Sequence, residues 1–72
     1  MIEKTFSITF RFDTVSVEER LDLAGVAELL IRHDIELLDA LELLEGMRIA
    51  TAGRYVGDGW SLVYVAHAPL YH

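Results

Sequence analysis

Hydrolytic metal chemistry needs three or four histidine, cysteine or carboxylate ligands converging on one point, and nucleophilic catalysis needs a serine or cysteine beside a base. The sequence has no cysteine, and its histidines, His33, His67 and His72, are scattered along the chain. His33 with Asp34 and Glu36 could ligate a metal only if the chain folded back on itself. A histidine at a helix end, bonded to water, is the simpler reading. Ser7, Ser16 and Ser61 lack the Gly-x-Ser-x-Gly elbow that lifts a nucleophile out of a strand-to-helix turn. Gly53-Arg-Tyr-Val-Gly57-Asp-Gly59 is rich in glycine, but phosphate loops lead from a strand into a helix whose N-terminus holds the anion. Here the glycines fall where a hairpin should turn. No catalytic, metal-ligating or cofactor-binding residue is assigned, and no enzyme activity is expected.

Carboxylates are the chemistry that remains. The net charge is −6, and between Glu18 and Glu45 nine acidic residues stand against only Arg20 and Arg32. Such a field disfavours direct contact with the phosphates of DNA or RNA. It suits a basic protein surface instead, including one that normally holds nucleic acid. The residues expected to make that contact are Glu36, Asp39 and Glu42, with Asp22 and Glu28 in support. The bland counterpart is a solvated face that keeps the protein soluble.

Those three carboxylates need a helix to align them. In Asp34–Gly46, Leu37, Leu38, Ala40, Leu41 and Leu44 recur at steps of three and four, so they share one face and leave Glu36, Asp39 and Glu42 on the other. Asp34 is placed as N-cap and Gly46 as the left-handed residue that ends the helix. Upstream, Ser16-Val17-Glu18-Glu19 fits a capping box, which predicts a helix from Val17 to about Arg32. Leu21, Gly25 and Leu29 form a second stripe on it, open to a close neighbour. One continuous helix from Val17 to Glu45 would be roughly 43 Å long, too long for a compact chain of this size. A break is therefore expected at His33-Asp34.

Strands flank the helical region. Thr5–Phe12 alternates without a slip, placing Phe6, Ile8, Phe10 and Phe12 on one face. Met47–Val56 and Trp60–Ala68 read as two more strands around Gly57-Asp58-Gly59, a strong hairpin signal. Pro69 should end the last one. The expectation is one α+β domain spanning residues 1–72, ordered strand–helix–helix–strand–strand. A three-stranded antiparallel sheet would carry two helices on one face. Its core would set Phe6, Ile8, Phe10, Phe12, Leu62 and Tyr64 against Leu30, Leu37, Leu38, Leu41 and Leu44.

Size adds one consideration. A chain of 72 residues buries only about 60% of its unfolded surface, and this one is 53% hydrophobic with no disulfide to staple it. The apolar surplus points to burial between chains, as in a homodimer or a partner complex. No signal peptide or membrane span is present in the sequence, so a soluble cytoplasmic protein is expected.

Two likenesses follow. The chain is similar in size, acidity and lack of cysteine to phage-encoded inhibitors, anti-CRISPR proteins among them. That likeness implies a non-enzymatic module that occupies the nucleic-acid-binding surface of its target. The strand–helix–strand–strand order and the length resemble the dodecins, small flavin-binding oligomers. This implies a homo-oligomer holding a flat ligand, for which Trp60, Tyr55 and Tyr64 are the aromatic residues at hand. No flavin motif is matched, so no residues are carried over, and the simpler role for Trp60 is core or interface.

Overall fold

The computed structural model describes residues 4–67. Its elements are β1 (Thr5–Phe12), β2 (Val15–Asp22), α1 (Leu23–Arg32), α2 (Leu37–Ile49), β3 (Ala52–Gly57) and β4 (Trp60–His67). The class is α+β, with a four-stranded antiparallel sheet ordered β2-β1-β4-β3. The expected sheet had three strands, and the expected order, like the dodecin order, lacked β2.

The additional strand comes from the segment expected to open the first helix. Val15–Asp22 pairs along its whole length with β1, from Phe12 opposite Val15 to Thr5 opposite Asp22. Ser16 is therefore no helix cap. Its Ser-x-x-Glu pattern is local, whereas Val17 and Leu21 gain contact with the core only as strand residues. The turn between the strands is two residues long, with Asp13 at φ 57°, a conformation aspartate tolerates better than most residues. At the opposite hairpin, Asp58-Gly59 turns as the sequence predicts, with Gly59 at φ 81°.

Asp22 caps α1 instead, its carboxylate accepting from the Gly25 amide at 2.8 Å. The helix ends in a Schellman motif. The Asp34 amide donates to Ile31 and the Ile35 amide to Leu30, both at 3.0 Å, with Asp34 at φ 60°. The break at His33-Asp34 is thus real, but Asp34 terminates α1 and does not cap α2. Glu36 holds the N-cap position of α2 without a side-chain hydrogen bond.

Gly46 does not end α2, which runs on to Ile49, so Met47–Ile49 are helical and β3 is correspondingly shorter. A Cβ on Gly46 would sit 3.7 Å from the Tyr64 hydroxyl, so the residue marks where helix and sheet approach each other. The ammonium of Lys4 closes the end of α2, donating to the carbonyls of Met47 at 3.2 Å and Ala50 at 3.1 Å. A cation there also complements the negative end of the helix dipole.

The two helices run back and forth across one face of the sheet. Phe6, Ile8 and Phe10 of β1 and Trp60, Leu62 and Tyr64 of β4 meet Val26, Leu29 and Leu30 of α1 and Leu43 and Met47 of α2. Phe12 is only half-buried and Leu44 packs at the core's margin. Leu37, Leu38 and Leu41, expected in the core, are exposed. Across the edge strand β3, Trp60 lies over Gly57 and Tyr64 over Gly53. A Cβ at either glycine would come within 2.1 or 2.6 Å of the facing ring. Ala68 and Pro69, the expected end of the last strand, lie outside the described residues.

Candidate protein-docking surface

Helix α2 is apolar on both sides, and that is its unusual property. On the inner side Ala40, Leu43, Leu44 and Met47 follow the 3.6-residue period and pack on the sheet. On the outer side Leu37 is 70% exposed, Leu38 67% and Leu41 53%. Leu41 lies four residues from Leu37 and three from Leu38, so the three form one patch. Ile31, near the end of α1, is also 77% exposed. The sequence-based choice of the inward face went wrong here. Two leucine stripes compete for the core, and Met47 decides for Leu43, which lies one turn before it.

Of the acidic residues, Glu36, Asp39 and Glu42 lie beside this patch along α2. Glu36 precedes it on the chain, and neither Glu36 nor Glu28 makes a side-chain hydrogen bond among the described residues. Asp39 and Glu42 are engaged. Both accept from the Tyr55 hydroxyl of β3, at 3.2 Å to Asp39 Oδ1 and 2.8 Å to Glu42 Oε2. The Glu42 hydrogen bond, then desolvation and the Asp39 carboxylate, hold the Tyr55 phenol above its ordinary pKa. Asp22 is occupied by the α1 cap. The five predicted contact residues are therefore not one surface: Glu36, Asp39 and Glu42 gather around α2, Glu28 sits on α1, and Asp22 has a structural task.

Further along the same outer face, Glu45 and Arg48 form a two-pronged ion pair, at 2.6 Å and 3.2 Å. The Arg48 hydrogen bond, followed by its charge, lowers the Glu45 pKa. The sequence-based expectation names carboxylates alone, whereas Leu37, Leu38 and Leu41 between them are exposed as well. The available signal was the density of leucine in Leu37–Leu44, which exceeds what one buried helix face can absorb.

The aromatic platform does not form. Trp60 and Tyr64 are each only 6% exposed. Trp60 stacks on Tyr55 at 5.4 Å and packs against Phe10 at 6.0 Å, inside the core. His33 packs on the rings of Phe10 and Phe12. Among the described residues no three histidine or carboxylate side chains gather into a metal-binding group, and no helix is long and apolar enough to cross a membrane. Comparison with family models, with curated proteins and with solved structures returned no match.

Proposed function

We propose that the protein is a non-enzymatic interaction module that docks through the outer face of α2. The observation that carries this reading is the exposed patch Leu37–Leu38–Leu41 within an acidic frame. Burying the exposed part of each leucine would contribute about 1–2 kcal/mol, while Glu36 and Glu42 would steer and orient the encounter. The partner is accordingly a protein with an apolar groove and a basic rim, the arrangement in which a helix lays its anchors into a cleft. An inhibitor that occupies the basic, nucleic-acid-binding surface of a cytoplasmic target fits this chemistry. Apolar anchors favour a protein groove over mimicry of phosphates by charge alone.

The test is quantitative capture from host lysate with the wild-type chain, a Leu37→Glu/Leu41→Glu variant and a Glu36→Lys/Glu42→Lys variant. The wild type should retain a partner and release it as rising salt screens the rim. The leucine variant should lose that partner, and the charge variant should bind it more than tenfold less tightly, with each variant shown by circular dichroism to be folded under the conditions used. Equal retention by the leucine variant would refute the assignment.

A further inference from the structure

The helices cover one face of the sheet, and no described element covers the other. We propose that this open face joins two copies of the chain about a twofold axis running parallel to the strands, between β1 and β4.

The strand alternation identifies the residues of this face. Phe6, Ile8 and Phe10 point to the helices, so Ser7, Thr9 and Arg11 point away. On β4 the outward residues are Ser61, Val63 and Val65. Val63 and Val65 of β4 are exposed and lie beside Ser7 and Thr9 of β1, so the middle of the face is apolar and hydroxyl-bearing, with Val56 exposed on the edge strand. The pairing register then fixes a row across the sheet. Arg54 of β3 lies opposite Val63, Val63 opposite Thr9, and Thr9 opposite Glu18 of β2. The row has a cation at one edge and an anion at the other. Neither Arg54 nor Glu18 makes a salt bridge or a side-chain hydrogen bond among the described residues.

Two twofold axes through the middle of this row place the face on its own copy. An axis across the strands would set Arg54 on Arg54 and Glu18 on Glu18. An axis along the strands reverses the row, so Arg54 meets Glu18 of the second copy, twice, and Val63 meets Thr9. The neighbouring rows obey the same symmetry without conflict. Arg11 falls over Ser61 and Arg20 over Ala52, so no like charges stand directly opposed. Between these two axes, charge favours the one along the strands.

Aligned sheets cross at about 30°, which displaces the outer strands, some 7 Å from the axis, by roughly 4 Å. Arginine and glutamate side chains reach across that. Four strands of this length present a face of about 20 by 25 Å, or roughly 1,000 Å² for the pair. That area stands at the lower edge of specific interfaces, so the dimer is reversible. It would carry its two α2 surfaces on opposite outer sides and bind two partners. The contact does not depend on the docking reading, because it uses none of the same residues.

Sedimentation equilibrium of the purified full chain tests this. The wild type should dimerise with a dissociation constant no weaker than about 100 µM. Glu18→Arg and Arg54→Glu should each weaken the dimer tenfold or more, and the double reversal should restore it. Val63→Glu should leave a folded monomer, as checked by its circular dichroism. A monomer at every concentration would overturn the proposal. So would a dimer indifferent to both charge reversals, or one that Leu41→Glu dissolves instead.

Discussion

Replacing leucines by alanine along α2 separates its two apolar sides. Leu43 is 2% exposed and sits against Met47 and the sheet, whereas Leu37, six residues earlier, is 70% exposed. Truncating a fully buried leucine removes its transfer free energy and leaves a cavity, and costs about 2–5 kcal/mol. A chain of this length has a total stability of roughly 4–11 kcal/mol. Leu43→Ala should therefore consume about half of the stability, and the protein should melt well below the wild type. Leu37→Ala and Leu38→Ala remove atoms already in water, and each should change stability by less than about 0.5 kcal/mol. Urea unfolding followed by far-ultraviolet circular dichroism, in dilute protein where copies do not associate, gives all three values. If Leu37→Ala or Leu38→Ala costs as much as Leu43→Ala under those conditions, α2 is rotated. The docking patch is then part of the core.

Other consequences can be checked singly. Asp22→Ala should destabilise the fold by about 1 kcal/mol through loss of the α1 cap, whereas Ser16→Ala should be nearly neutral. The reverse order in thermal melts would restore the longer first helix. Gly57→Ala would push a methyl group into the Trp60 ring, and overpacking of this kind costs about 1–3 kcal/mol. Its tryptophan emission should shift to the red, and an unchanged spectrum and midpoint would contradict the close approach. The Tyr55 phenol is held above its ordinary pKa by Glu42 and Asp39. What this contributes to stability is present below the unfolded tyrosine pKa of about 10 and is lost as pH rises through the raised value. In absorbance titrations, the transition missing from Tyr55→Phe should lie above pH 10 and move down in Glu42→Gln.

The legible part of the fold was the part whose local pattern agrees with its tertiary setting. Strand β1 alternates because one face is buried and the other is not. The Asp58-Gly59 turn needs a positive φ that glycine supplies, and the helical break falls where a tertiary model of compactness requires one. The illegible part was where two patterns coexist. Val15–Asp22 satisfies both a capping box and an alternating strand, and only pairing with β1, invisible in the segment itself, decides between them. Asp34 resembles an N-cap but occupies the left-handed position that closes the preceding helix. Gly46 resembles a helix end but lies mid-helix, above Tyr64.

The sequence locates the acidic helix α2 but not the contacts its carboxylates make. The acidic segment around α2 does frame the exposed surface. Tyr55, however, engages Asp39 and Glu42 through a contact sixteen and thirteen residues away, and nothing in the spacing announces it. Periodicity places Leu37, Leu38 and Leu41 in the core because it identifies an apolar face without saying which of two faces the sheet will take.

The most direct test of the central claim is photo-crosslinking in the native host, with a photoreactive amino acid in place of Leu41 and, as control, in place of Ala24 on α1. If α2 docks through its outer leucines, position 41 gives one discrete heteromeric adduct and position 24 gives none. No adduct from position 41, or only a covalent pair of this chain with itself, would contradict it.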